Sequence, residues 1–154
     1  TNFLKNNKMT TLEKISDDLI ISIKTKNEIK TSTLRGLKSK ITEAEKISGK
    51  QLTDVEILGV ISKYGKERLQ SMDLFSQANR LDLFEIEEKQ YKIVEEYLPK
   101  RLTTEEVELK VKELIKEKQL VGIKSLGIIM KEFSLNYAGQ VDGKEVSEIA
   151  KKLL

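Results

Sequence analysis

Apolar residues recur every three or four positions along most of the chain, which is the spacing of one face of an α-helix. No alternating pattern typical of a strand reaches a useful length. Up to Val94 the spacing predicts four amphipathic helices. Their apolar positions are Leu12, Ile15, Leu19 and Ile23; Leu34, Leu37, Ile41 and Ala44; Val55, Leu58, Ile61, Tyr64, Leu69, Met72 and Phe75; and Leu83, Phe84, Ile86, Tyr91 and Val94. The predicted fold class is all-α, beginning with a bundle of about four helices.

Local signals place the ends of these helices. Thr10-Thr11-Leu12-Glu13 and Thr53-Asp54-Val55-Glu56 have the pattern of a capping box, in which threonine and glutamate satisfy free amides at a helix start. The second helix is expected to end at Ser48-Gly49, because glycine is a natural C-cap. We therefore expect the first helix at 11–26, the third at 53–77 and the fourth at 81–97.

The only proline, Pro99, divides the chain. It disfavours helix at the residue before it and donates no backbone hydrogen bond, so a helix should end near Leu98. We predict a bundle over 11–98, a hinge over 99–102 and a small domain of three short helices over 103–154. Thr103-Thr104-Glu105-Glu106 reads as a third capping box, and Asp142 with Glu145 reads as the cap of the last helix. The apolar sides of the three helices are Val107, Val111, Leu114 and Ile115, alongside Lys118; Leu126, Ile129, Met130 and Phe133; and Val146, Ile149, Ala150, Leu153 and Leu154.

The amino-acid composition limits which catalytic and metal-binding groups the chain can supply. The chain has no Cys, His or Trp, which removes the thiolate nucleophile, the usual base near neutral pH and the commonest zinc ligands. We predict no catalytic residue, no metal site and no cofactor. No apolar run approaches a membrane span, so we expect a soluble protein that does not act at a membrane. Residues 1–8 precede Met9 and read either as a cloning remnant or as the stub of a removed targeting peptide. The expected compartment is the cytoplasm in the first case and an organelle in the second.

Positive charge is concentrated near the second helix. Between residues 24 and 50 there are eight basic and three acidic residues, although the whole chain carries only +3. Such a stripe is the first footprint of contact with a phosphate backbone, while a solvated helix face is the plain alternative. Lysines outnumber arginines by 24 to 4, which weighs against base-specific recognition.

A family resemblance rests on a series of short motifs. They are Leu34-Arg35, Glu45, Arg68-Leu69-Gln70-Ser71, Phe75, Ala78-Asn79-Arg80-Leu81-Asp82-Leu83, Glu87, Tyr97-Leu98-Pro99, Leu126-Gly127 with Met130, Gly139 and Val141-Asp142-Gly143. Over residues 11–154 the chain resembles the YqeY family, which is similar to the tail of GatB. GatB is the tRNA-handling subunit of the glutamine-dependent aminoacyl-tRNA amidotransferase. Two departures are Gln140, where an arginine is usual, and Leu69, where a basic residue is common.

The resemblance implies an all-α fold and an accessory role near aminoacyl-tRNA amidation, with tRNA or an amidotransferase subunit as partner. It also implies a family-level label of carbon–nitrogen ligase activity with glutamine as amide donor. The chain shows no glycine-rich phosphate loop and no Ser-Lys amidase signature, so we expect a noncatalytic role. Our tRNA-binding candidates are Lys24, Lys26, Arg35, Lys38, Lys40, Arg68, Arg80, Lys124, Lys131 and Lys144.

Plainer interpretations stand beside these. Arg80 with Asp82 or Glu87 would form ion pairs between the third and fourth helices, and Gly127 would be a close helix contact. Gly139 and Gly143 would supply turn conformations, and Tyr64, Tyr91 and Tyr97 would pack in the core. The rival function is a protein-interaction module in which Phe75, Phe84 and Phe133 line a groove between the two modules. An enzyme in its own right would depend on Asp82 and Glu87.

Overall fold

The computed structural model describes residues 9–154, so the predictions made for residues 1–8 lie outside it. In this range the chain forms seven α-helices and one short 3-10 helix, and no strand. The helices are α1 Thr11–Lys24, α2 Glu28–Ser48, α3 Asp54–Gln77, α4 Leu81–Glu95, α5 Thr104–Lys118, α6 Leu126–Asn136 and α7 Gly143–Leu153, with the 3-10 helix Ile123–Ser125 directly before α6. The predicted all-α fold class is confirmed.

The predicted caps form at most helix starts. The hydroxyl of Thr10 accepts from the N–H of Glu13 (3.2 Å), and the Glu13 carboxylate accepts from the N–H of Thr10 (3.1 Å). The same reciprocal pair forms at α3 between Thr53 and Glu56. At the end of α2, Gly49 takes the left-handed conformation (φ 73°) that glycine adopts most easily. These local signals therefore place the starts of α1 and α3 and the end of α2 correctly.

The chain divides into two compact units between Leu98 and Pro99. In the first unit, α1 to α4 enclose one apolar core. Its buried members are Ile15, Leu34, Leu37, Ile41, Ile57, Ile61, Tyr64, Val94 and Tyr97. α2 and α3 approach closely at Gly36, where an added Cβ would overlap the hydroxyl of Tyr64.

The second unit packs α5, α6 and α7 around a separate core. Val107, Val111, Ile129, Phe133, Val146 and Ala150 are its buried members. Polar contacts fasten the unit at its edges: the N–H of Leu102 donates to the carbonyl of Gln140 (2.9 Å), and the hydroxyl of Thr104 donates to the carboxylate of Glu145 (2.8 Å). All six of these buried residues are among the apolar positions predicted for the three helices.

Several predicted positions are wrong in detail. In α3 the core contains Ile57, which is 5% exposed, whereas the predicted Val55 is 37% exposed. Ile57, Ile61 and Tyr64 follow one another at four and three residues, so they share the side of α3 that contributes to the core. Three other residues predicted to face inward are exposed, namely Ile23, Leu69 and Ile86. A helix with apolar residues on several sides does not reveal from its own sequence which side is covered.

Helix ends also differ from the expectation. α1 ends at Lys24 and α4 at Glu95, each two residues early, and residues 96–98 form a turn before Pro99. At α5 the hydroxyl of Thr103 accepts from the N–H of Glu106, which is one half of the predicted box. Among residues 9–154, no helix combines the length and the apolar character that crossing a membrane requires.

Candidate nucleic-acid interface

The first helix ends in a Schellman turn whose left-handed position is a lysine. The N–H of Asn27 donates to the carbonyl of Ser22 (2.9 Å), and the N–H of Lys26 donates to the carbonyl of Ile23 (3.2 Å). This closure gives Lys26 a φ of 56°, where glycine is usual because it has no Cβ. Asn27 then caps α2 by accepting from the N–H of Lys30 (3.2 Å). Lys26 is thereby held at a sharp corner between two helices.

A surface pocket of about 450 Å³ opens beside this corner and is lined by Ser22, Ile23, Lys26, Glu28, Thr31, Ser32 and Arg35. The hydroxyl of Ser22 donates to the carbonyl of Leu19 (2.8 Å), so in its bond with Thr31 (2.8 Å) the donor is Thr31. Ser32 therefore supplies the hydroxyl that can donate to a ligand. With Lys26 and Arg35 as cations and Glu28 as the single carboxylate, the pocket is suited to an anionic group.

Four basic side chains, from the end of α1 to the third turn of α2, form no ion pair within residues 9–154. Lys24, Lys26, Arg35 and Lys38 make no side-chain hydrogen bond or ion pair with any of residues 9–154. Arg35 and Lys38 are three residues apart on α2, so they are neighbours on its surface. We call these four residues the cationic turn. Unpaired cations retain their full attraction for a phosphate backbone.

The fifth basic residue predicted on this stripe is different. Lys40 lies 3.6 Å from the carboxylate of Glu43, and it lines a second pocket of about 180 Å³ between α2 and α3. Lys40 is five residues from Arg35, which on a helix is a rotation of about 140°. The structure therefore separates Lys40 from the cationic turn.

The two candidate arginines of α3 and α4 are already paired. Nε of Arg68 lies 3.0 Å from Oε2 of Glu87, and its guanidinium stacks 4.4 Å from the ring centre of Tyr64. This ion pair lacks an aligned hydrogen bond, and each side chain is about one-fifth exposed. Glu87, one of the two carboxylates considered for catalysis, is thus paired with an arginine.

Arg80 donates two hydrogen bonds to Asp82, from Nε to Oδ1 (3.2 Å) and from Nη2 to Oδ2 (3.1 Å). The hydrogen bonds from Arg80 lower the pKa of the Asp82 carboxyl, and the same partner raises the pKa of Arg80. The ion pair expected at this turn therefore joins Arg80 to Asp82, while Glu87 pairs with Arg68. The alternative of an acid–base centre at Asp82 and Glu87 has no unpaired carboxylate to work with.

In the second unit the three candidate lysines are exposed. Lys124 lies in the 3-10 helix, Lys131 in α6 and Lys144 in the first turn of α7. The other family-motif residues there have mixed roles. Gly139 has a φ of 75°, which a side chain would oppose, and Asp142 caps α7 by accepting from the N–H of Lys144 (3.0 Å).

Two glycine predictions are wrong. Gly127 is exposed and an added Cβ would meet nothing within 4 Å, so it is not a close helix contact. Gly143 begins α7 and is not among the residues with positive φ, so it does not supply a left-handed turn. An added Cβ at Gly143 would come 3.6 Å from Cε of Met130, which is ordinary contact.

Tyr97 of the Tyr-Leu-Pro motif joins the end of the first unit to α1. Its hydroxyl donates to Oδ2 of Asp18 (2.5 Å), and the ammonium of Lys14 lies 5.4 Å from the centre of its ring. Burial, together with the carboxylate of Asp18, raises the pKa of Tyr97 far above its usual value. Tyr64 and Tyr97 are buried, and Ser71 and Tyr91 are half-buried. Sequence reasoning missed Asp18 because nothing in its own neighbourhood marks a partner 79 residues away.

Across residues 9–154, no group of carboxylates is arranged to hold a metal ion. The fold and these contacts define an all-α protein of two helical units, with the cationic turn in the first unit. A family model described as Yqey-like protein matches residues 12–154. The chain therefore belongs to the YqeY-like family, as its motifs predicted.

Three curated proteins are similar over part of their length. An uncharacterized protein of Schizosaccharomyces pombe is 38% identical over 85 residues, covering 55% of this chain and 69% of that protein. Two proteins named altered inheritance of mitochondria protein 41, mitochondrial, are from Clavispora lusitaniae and Lachancea thermotolerans. They are 33% identical over 101 residues and 31% identical over 99 residues, covering 66% and 64% of this chain. The chain spans only 59% and 53% of the length of these two relatives.

Proposed function

We propose that this protein is a noncatalytic accessory module that binds tRNA through phosphate contacts at the cationic turn. The observation that carries the proposal is the pocket beside this corner, which is lined by Lys26 and Arg35, two cations with no ion pair among residues 9–154, while Lys24 of α1 and Lys38 of α2 are further cations without one. The choice of tRNA is supported by the similarity of the family to the tail of GatB. Recognition of this kind reads the shape and charge of the RNA rather than its bases.

The position of Lys26 supports a binding role. A side chain in the left-handed conformation costs about 1 kcal/mol or more relative to glycine. The chain nevertheless has an ammonium there, beside Arg35 and the hydroxyl of Ser32. We predict that Lys26→Gly increases the free energy of unfolding by about 1 kcal/mol while weakening the binding of tRNA. Urea unfolding and an RNA titration of the same variant measure the two effects separately.

Salt dependence tests whether phosphate contacts dominate. Each contact contributes about 0.9 to the slope of log affinity against log salt, so four contacts predict a loss of about 100-fold between about 50 and 200 mM salt. Fluorescein-labelled tRNA titrated with the full chain, followed by anisotropy, gives this slope directly. An affinity for tRNA that does not change with salt would contradict the proposal.

Matched variants then locate the contacts. Lys26→Gln and Arg35→Gln should each weaken binding several-fold and lower the slope by about 0.9. The control is Arg80→Gln, because Arg80 is exposed but already bound to Asp82. Its affinity and slope should equal those of the wild type. If Arg80→Gln weakens binding and the two cationic-turn variants do not, the interface lies elsewhere.

The link to amidation is tested with mischarged Glu-tRNA and glutamine. The isolated protein is expected to give no amide transfer above a heat-denatured control, because it acts as an accessory module. Turnover above that control would overturn the noncatalytic role and support the family-level label of carbon–nitrogen ligase. A role through an amidotransferase subunit instead predicts that the protein binds that subunit and alters the rate at which the complete enzyme amidates the tRNA.

We also propose that the module works in mitochondria, since two similar proteins carry the word mitochondrial in their names. Fractionation of cells that express the complete gene product tests this. Recovery with the matrix would support it, and recovery in the cytosol would refute it.

The rival function, a protein-interaction module, was expected to use three phenylalanines, and one of them is buried. Phe133 is 2% exposed in the core of the second unit, so it is not available to a partner. Phe75 and Phe84 are half-buried in the first unit.

A further inference from the structure

The pocket beside Lys26 is lined by four residues from one side of α2. They are Glu28, Thr31, Ser32 and Arg35, and positions that lie three, four and seven residues apart share one side of a helix. The pocket measures about 450 Å³, which is more than one phosphate group fills and is within the usual range for small-molecule sites. A phosphate bound to Lys26 and Arg35 therefore leaves space for the neighbouring part of the same ligand.

Hydrogen-bond acceptors and donors are separated along this side of α2. Ser22 already donates to a backbone carbonyl, so Thr31 donates to Ser22 and has only lone pairs left for a ligand. Glu28 is also an acceptor, because an ionised carboxylate has no proton to donate. These two residues form the acceptor end of the pocket, near the start of α2. Ser32 and Arg35 form the donor end, about one turn further along the helix.

The carboxylate of Glu28 has no partner in the described part of the chain. It forms no side-chain hydrogen bond and no ion pair with any of residues 9–154. A carboxylate without a partner repels a phosphate, so at this site it favours binding only of a ligand that brings a donor close to its phosphate. Glu28 also favours the start of α2 through the helix dipole, but that effect is the same for every ligand.

The 2′-hydroxyl of a ribonucleotide is such a donor, and DNA lacks it. Carboxylates accept hydrogen bonds from ribose hydroxyls in nucleotide-binding proteins. We propose that Glu28, beside Thr31, accepts a hydrogen bond from the 2′-hydroxyl of one ribonucleotide. Lys26 and Arg35 bind the phosphate next to that sugar, so the pocket selects RNA over DNA. This inference rests on the proposed function, because it adds a sugar contact to the same phosphate-binding site.

Matched oligonucleotides test the sugar contact on the full chain. The probes are fluorescein-labelled single strands of one base sequence, made as RNA, as DNA with deoxyuridine and as 2′-fluoro RNA. All three have the same number of phosphates, and 2′-fluoro RNA keeps the sugar conformation of RNA without the hydroxyl proton. We expect RNA to bind about tenfold more tightly than the other two at the same salt concentration, because both lack a hydrogen bond to a charged group.

The variant Glu28→Gln locates the contact. Its side chain is uncharged, so it repels phosphate less and makes a weaker bond with the 2′-hydroxyl. The preference for RNA over 2′-fluoro RNA should therefore fall below about twofold. The matched control is Glu45→Gln, which removes the same charge from α2 at a site about 25 Å further along the helix axis. It should keep the tenfold preference, and circular dichroism checks that both variants are folded.

Failure of the sugar contact and failure of RNA binding give different results. Equal binding of RNA and 2′-fluoro RNA, with an affinity that still falls steeply with salt, would overturn the sugar contact and leave the phosphate contacts supported. A tenfold preference that persists in Glu28→Gln would place the discrimination outside this pocket and also overturn the sugar contact. No binding of any strand at about 50 mM salt would refute RNA binding itself, and the sugar contact with it.

Discussion

The contact between Tyr97 and Asp18 joins the last residues of the first unit to α1, and Tyr97→Phe removes it with little other change. The ring of Tyr97 is only 6% exposed, so phenylalanine keeps its packing and loses the hydroxyl alone. That hydroxyl donates to a carboxylate oxygen 2.5 Å away. Hydrogen bonds to charged groups contribute about 1.5–3 kcal/mol. We predict that Tyr97→Phe lowers the free energy of unfolding by about 2 kcal/mol. This value is in the lower half of that range because Asp18 is half-exposed and water can replace the lost donor.

Alkaline pH should reduce the difference in the free energy of unfolding between the wild type and Tyr97→Phe. The raised pKa of Tyr97 means that the folded protein retains the phenolic proton when the unfolded chain has released it. The contribution of Tyr97 is complete below the unfolded pKa of about 10 and is lost as pH rises above it, by about 1.4 kcal/mol per pH unit. The wild type should therefore exceed Tyr97→Phe by about 2 kcal/mol at about pH 8, and by about 0.6 kcal/mol at about pH 11.

Urea unfolding followed by circular dichroism at both pH values measures the two differences. Tyr64→Phe is the matched control in the same unit, because its ring is 8% exposed and its hydroxyl has no hydrogen-bond partner among residues 9–154. The control should lose less than about 0.5 kcal/mol. An equal loss in both variants, or a Tyr97→Phe difference that does not change with pH, would refute the reasoning.

Two further predictions concern packing in the first unit. Gly36→Ala should lower the free energy of unfolding by about 1–3 kcal/mol, because its new methyl group overlaps the hydroxyl of Tyr64, whereas Gly59→Ala, with open space around it, should raise stability by about 0.5–1 kcal/mol. Urea unfolding of both variants checks this, and the prediction fails if they change stability in the same direction. Arg68→Met should cost about 2 kcal/mol because it leaves the largely buried carboxylate of Glu87 unpaired. Adding Glu87→Leu should recover most of that loss in the same assay, and a double variant weaker than Arg68→Met would contradict the account.

The cationic turn was only partly predictable. Its charge is visible in the sequence, and Lys24, Lys26, Arg35 and Lys38 were all named as candidates. Which cations are free was not visible, because pairing depends on the carboxylates that packing brings near. In the structure Arg68 pairs with Glu87 and Arg80 pairs with Asp82, whereas the cations of the cationic turn pair with no carboxylate of residues 9–154.

The sequence by itself determined the class of the protein and most helix starts. Caps such as Thr10 with Glu13, Thr53 with Glu56 and the left-handed Gly49 join residues close along the chain, so their geometry is encoded locally.

Only the tertiary structure decided which side of α3 is buried, which arginines are neutralised and what Tyr97 binds. Each of these depends on side chains distant in sequence, as in the 79-residue separation of Tyr97 from Asp18. Such contacts form only when whole helices pack, and no local pattern records the side chains they will meet.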